Sequence, residues 1–97
     1  MSQYISIIGV GYVGLSTSLG FAAKGYNVLV YDNDPARIDS IRNGVSSFNE
    51  KDIENHLQQA TKDGFLRVSP SFNEAVKNSD ITFITVGTPS KPDGTIN

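Results

Sequence analysis

Near its amino terminus the chain reads Ile5-Ser6-Ile7-Ile8-Gly9-Val10-Gly11-Tyr12-Val13-Gly14-Leu15, a short apolar run broken by three glycines and followed at once by an amphipathic run. The spacing is G-x-G-x-x-G, set between a predicted strand and a predicted helix, which is the context that gives this motif meaning. Each glycine has a separate physical task. Gly9 allows the sharp turn out of the strand, and Gly11 keeps a side chain away from a diphosphate approaching the backbone. Gly14 lets the helix pack close to the sheet. The backbone N–H groups of the first helical turn, from Tyr12 and Val13 to Leu15, then face an anion with the positive end of the helix dipole behind them.

Working outward, Tyr4 to Ile8 is a nearly continuous apolar run and so predicts a strand buried on both faces. Val13 to Ala23 is small and apolar and suits a helix laid on a sheet, closed by Lys24-Gly25. Asn27 to Tyr31 predicts a second strand, and Asp32 stands at its end, 18 residues after Gly14. An acid at that distance suits hydrogen bonds to the adenosine ribose; its charge repels a 2′-phosphate and favours NAD over NADP. The alternative is a plain turn former, because Asp32-Asn33-Asp34-Pro35 is rich in turn residues.

Asp34 is placed to cap a helix with Pro35 at its first position, Ile38 and Ile41 facing inward and Asn43-Gly44 ending it. Arg37, near the start of that helix, either lies beside the adenosine end of the cofactor or is a solvated helix residue. After a connector, a helix is expected from Glu50 to Lys62 with Ile53, Leu57 and Ala60 on one face. His56, the single histidine, reads as a surface or packing residue rather than a base. Phe65 to Val68 predicts a short third strand. Ser71-Phe72-Asn73-Glu74 has the form of a capping box opening a helix to about Lys77, and Ile81 to Val86 predicts a fourth strand. Thr88 leaves the end of that strand, either donating a hydrogen bond to a cofactor phosphate or ribose or capping a loop beside Pro89.

Alternating strands and helices predict parallel strands joined by crossovers. The expected fold class is α/β, a partial Rossmann-type doubly wound parallel sheet of about four strands in the order 3-2-1-4, with residues 1–97 forming the amino-terminal part of one dinucleotide-binding domain. Ligands of such sheets bind beyond the carboxyl ends of the strands, where Gly9 to Gly14 and Thr88 converge.

Composition narrows the function classes. With 97 residues, 38% hydrophobic, 19% charged and a net charge of −2, the chain reads as one globular unit without a basic cluster, which offers nucleic acid little attraction. No apolar run approaches the length of a membrane span and no signal-peptide pattern opens the chain, so a cytoplasmic setting without a membrane partner is expected. Cysteine is absent, which removes disulfides, thiolate metal sites and a cysteine nucleophile from these residues. No metal site is expected.

Several of these stretches together resemble the UDP-glucose/GDP-mannose dehydrogenases, which oxidise C6 of a nucleotide sugar. The resemblance rests on Ile8-Gly-Val-Gly-Tyr-Val-Gly-Leu15, Tyr31-Asp32 followed by Arg37, Asn43-Gly44 leading to Glu50, and Val86-Gly-Thr-Pro89 followed by a Pro-Asp-Gly turn. It implies that Asp32 holds the adenosine ribose, that Arg37 stands where the family carries a basic residue near the cofactor, and that Thr88 touches the cofactor. Ser47 to Asp52 departs from the family, which usually carries prolines there. The resemblance further implies two successive oxidations of the C6 alcohol to a carboxylate with two NAD, the second through a thiohemiacetal on a cysteine. That intermediate is needed because an aldehyde has no hydride to give until a nucleophile adds. Since this chain has no cysteine, it is expected to bind NAD without performing the full chemistry, with no catalytic residue of its own and the nucleotide sugar read elsewhere in a longer enzyme. An edge left bare at the fourth strand predicts a homo-oligomer or a marginally stable chain. Two other readings stay open on the residues alone: the NAD-binding half of a hydroxyacid or hydroxyacyl-CoA dehydrogenase, and a free-standing NAD-binding module.

Overall fold

The structure, a computed structural model, describes residues 3–46 and 51–85. In chain order the elements are β1 (Tyr4–Ile8), α1 (Tyr12–Ala23), β2 (Asn27–Tyr31), α2 (Pro35–Arg42), α3 (Lys51–Lys62), β3 (Leu66–Val68), α4 (Phe72–Lys77) and β4 (Ile81–Ile84). Among the described residues the four strands are parallel, as the alternation of strand and helix predicts, and lie in the expected doubly wound order β3-β2-β1-β4. Element bounds fall within a residue or two of expectation. α1 begins at Tyr12 rather than Val13, and β3 begins at Leu66 although the Phe65 carbonyl already accepts from Val28 N–H at 2.7 Å. β4 ends at Ile84, with Thr85 N–H still reaching the Ile8 carbonyl at 2.8 Å. Glu50, Val86 and Thr88 lie outside the described residues.

Central β1 is buried along Ile5–Ile8, and β2 alternates between buried and half-buried positions. Register explains the core. Ile5 and Ile7 of β1 stand opposite Val28 and Val30 of β2. They form one cluster with Leu15, Leu19 and Ala22 of α1, Ile41 of α2 and Ile53, Leu57 and Ala60 of α3. The three predicted inward positions of α3 are all in it. Burying a side chain such as Leu57 fully contributes about 1.5–3 kcal/mol, so α3 is anchored by one stripe and needs little intrinsic helix preference. α4 packs beside β1 and β2.

Ser6, on the inner strand β1, is fully buried, and its hydroxyl is satisfied by other hydroxyls. Its Oγ lies 2.7 Å from Thr82 Oγ1, its register partner on β4, and 2.9 Å from Ser79 Oγ. On the opposite face of β4, Phe83, the register partner of Ile7, stacks obliquely on Phe21 of α1, with ring centroids 5.4 Å apart.

Candidate functional site

The site is built where β1, β2 and β4 end. Gly9 turns the chain out of β1 at φ +95°, a left-handed conformation open to glycine and strained for other residues. Its N–H donates to the Tyr31 carbonyl at 2.8 Å, tying the turn to the end of β2. Its carbonyl accepts a short hydrogen bond from Thr85 Oγ1, just past β4. Gly14 sits directly above: a Cβ there would overlap the Gly9 carbonyl oxygen and come within 2.5 Å of Thr85 Oγ1. The close helix-to-sheet approach expected of Gly14 is therefore present, and its partners are named.

Gly11 is different. It caps α1 at φ −66°, which any residue adopts, and a Cβ built on it meets nothing within 4 Å. Neither the backbone nor the packing of the described residues demands glycine at this position.

The first helical turn contributes N–H groups, with one correction. Leu15 N–H donates to the Gly11 carbonyl at 2.9 Å, as the first in-helix bond, so it faces no anion. Val13 and Gly14 precede that bond and retain the donors that a helix start offers. The side chains of Tyr12 and Val13 are both exposed beside the turn.

At the end of β2, Asp32 is buried, with its side chain only 7% exposed. One carboxylate oxygen accepts from Val10 N–H at 2.9 Å, inside the glycine motif, and the other accepts from Asp34 N–H at 2.9 Å. Arg37 Nη1 stands 3.4 Å from the first of these oxygens, its own side chain 40% exposed. Arg37 thus pairs with Asp32 while much of its side chain stays in solvent. Burial pushes the Asp32 carboxyl up. The hydrogen bonds from Val10 and Asp34, and then the Arg37 charge, pull it down further, and the net position is below its ordinary value. The carboxylate is ionised at neutral pH. It has lone-pair capacity for more than these partners, so ribose hydroxyls remain acceptable donors.

Two features were not foreseen. Thr85 meets the first glycine; its only sequence signal is a second threonine near the end of a strand predicted to neighbour β1. The bond from Val10 to Asp32 carries no local signal, because the two residues are neighbours only after β1 and β2 have paired. His56 is exposed on α3, on the rim of a groove of about 510 Å³ between α1 and α3 that also includes Leu19, Ile53, Ala60 and Phe65. That groove lies away from the glycine turn. Among the described residues no group of three or more His, Cys, Asp or Glu is arranged to hold a metal, and no helix is long and apolar enough to cross a membrane.

A parallel sheet in this order, with a glycine turn into α1 and a buried carboxylate closing β2, defines a dinucleotide-binding domain of the Rossmann type. The chain belongs to the UDP-glucose/GDP-mannose dehydrogenase family, whose NAD binding domain matches residues 3–97. The UDP-glucose 6-dehydrogenase YwqF of Bacillus subtilis is 40% identical over 93 residues, taking in 96% of this chain and 21% of the relative. The GDP-mannose 6-dehydrogenase of Pseudomonas aeruginosa is 41% identical over 93 residues, with the same coverage of 96% and 21%. Among solved structures, a UDP-glucose dehydrogenase from the hyperthermophilic archaeon Pyrobaculum islandicum superposes with a TM-score of 0.90 at 38% identity, over 99% of this chain and 22% of that one. The chain therefore spans about a fifth of the length of the relatives it matches.

Proposed function

We propose that this chain is the NAD-binding portion of a nucleotide-sugar 6-dehydrogenase, an enzyme that oxidises a C6 alcohol to a carboxylate with two NAD. In this reading the diphosphate lies over Gly9, Gly11 and the first turn of α1, held by the N–H groups of Val13 and Gly14 and by the helix dipole. The adenosine ribose donates its hydroxyls to Asp32, whose charge disfavours a 2′-phosphate, and Arg37 lies along the adenosine end. Thr88 is assigned to the cofactor by family likeness and by its place in the sequence just past the fourth strand. NAD, when bound, supplies the hydride acceptor; these residues bind and orient it. The nucleotide sugar and the groups that act on it belong to other parts of a longer protein, and no cysteine nucleophile is among these 97 residues.

The observation that carries the reading is Gly11. It is glycine where neither its dihedral nor its neighbours call for one, and a side chain there would project into the space a diphosphate needs. The test is Gly11→Val. Calorimetric titration is expected to show NAD binding to the unmodified protein in preference to NADP, and a loss of about tenfold or more in the variant, while the melting temperature stays close to that of the parent. Equal NAD affinity in both proteins, or no NAD binding to the parent, would sink the proposal.

A further inference from the structure

We propose that Asp32 is a positioning residue for the glycine turn, bridging Val10 N–H to Asp34 N–H so that the ribose subsite and the diphosphate cradle are built as one piece. Asp32 meets both turns directly: one oxygen takes Val10 N–H and the other Asp34 N–H, each at 2.9 Å. Gly9 is anchored independently, by the Tyr31 carbonyl on one side and by Thr85 on the other. The next peptide is not. Val10 is 1% exposed, its N–H is cut off from water, and the acceptor that satisfies it is a side chain from the other turn. A buried donor left without a partner is costly, so moving or removing the carboxylate releases the segment that leads into Gly11.

The binding consequence rests on the NAD reading above; the structural consequence does not. If Asp32 acted on the ribose alone, a dinucleotide without ribose hydroxyls would be indifferent to it. Removing its negative charge, and thereby freeing Arg37, would even improve attraction for a diphosphate. The bridge predicts the opposite sign.

The experiment compares the unmodified protein with Asp32→Asn, using NAD and its 2′,3′-dideoxyadenosine analogue as probes, alongside amide hydrogen exchange without ligand. An asparagine oxygen can serve one of the two N–H groups while its amide nitrogen confronts the other. The analogue is expected to bind the variant about tenfold more weakly. In exchange, Val10 or Asp34 is expected to lose protection by about tenfold beyond any loss at Ile7 and Val30 in the strands. Unchanged or tighter binding of the analogue overturns the bridge, and so does a loss of protection spread evenly over strands and turns. Should the parent bind neither probe, the NAD reading fails and the exchange ratio still decides the bridge. Should Asp32→Asn not fold, an acid titration of the parent decides instead. Arg37 of α2 and Asp34 in its own turn are the charged neighbours of Asp32, and the amide protons of Val10 and Asp34 are expected to shift with one shared midpoint. Static resonances would overturn the proposal.

Discussion

Asp32 sets the pH behaviour at the residue scale. Its carboxyl sits below the ordinary value in the folded chain, so the folded state binds this proton less readily than the unfolded one. The stabilisation is complete above the unfolded value of about 3.9 and disappears as pH falls through the folded value. Melting temperature followed from neutral to acid pH is expected to fall more steeply for the parent than for Asp32→Asn, which has no carboxyl to protonate. Parallel curves would contradict this. Gly14 makes the second residue-scale prediction. Its Cβ would overlap the Gly9 carbonyl, a backbone atom without freedom to move aside, so Gly14→Ala is expected to destabilise the chain by about 3 kcal/mol in urea unfolding. Gly11→Ala, with open space around it, is expected to cost a small fraction of that. The motif already gives the two glycines different tasks, and the structure bears out the packing task of Gly14 by naming the atoms its Cβ would meet, while Gly11 stands in open space.

For the elements, the chain announces its helix starts chemically. Asp34 accepts from Ala36 N–H at 3.0 Å with Pro35 as the first helical residue, and Ser71 accepts from Glu74 N–H at 3.1 Å. Asp34→Ala and Ser71→Ala are each expected to cost about 1 kcal/mol, measured as a shift in the urea midpoint with unchanged slope. Leu57→Ala, which empties a fully buried position of α3, is expected to cost about 2–5 kcal/mol. These features were legible in the sequence because they are local: a cap and its partner lie two or three residues apart, and the α3 stripe repeats with the helical period. Parallel pairing was legible because strand and helix alternate along the chain, and the strand order because the glycine motif points to a doubly wound sheet. Thr85 against Gly9 and Val10 against Asp32 were not legible. Each joins residues that only strand pairing brings together, and neither threonine nor valine signals such a partner. The Leu15 N–H was misread because a motif does not say where the in-helix ladder begins.

At the scale of the whole molecule, β4 is an edge strand with exposed apolar side chains among the described residues. Among the described residues β4 is hydrogen-bonded to β1 alone, and Ile81, Phe83 and Ile84 are all exposed, Ile84 at 65%. An uncovered edge with apolar side chains invites pairing with another copy. Sedimentation velocity is expected to show mass increasing with concentration for the 97-residue chain, and Ile84→Lys is expected to shift it toward monomer. A parent that stays monomeric at high concentration would remove the idea.

The hydroxyl cluster at Ser6 bears on how that outer strand finds its place. Apolar strands forgive a slip of two residues, because the same face still meets the same face. Ser6 does not forgive it: two steps either way would set Asp80 or Ile84 beside it in place of Thr82 and break the Ser6–Thr82 hydroxyl contact. Thr85 follows Thr82 by three residues, so the notch that seats β4 at Ser6 also sets how far along the sheet Thr85 arrives, and with it the height at which the Gly9 carbonyl is held. A small polar contact midway along the sheet thus works as a gauge for the turn at its end.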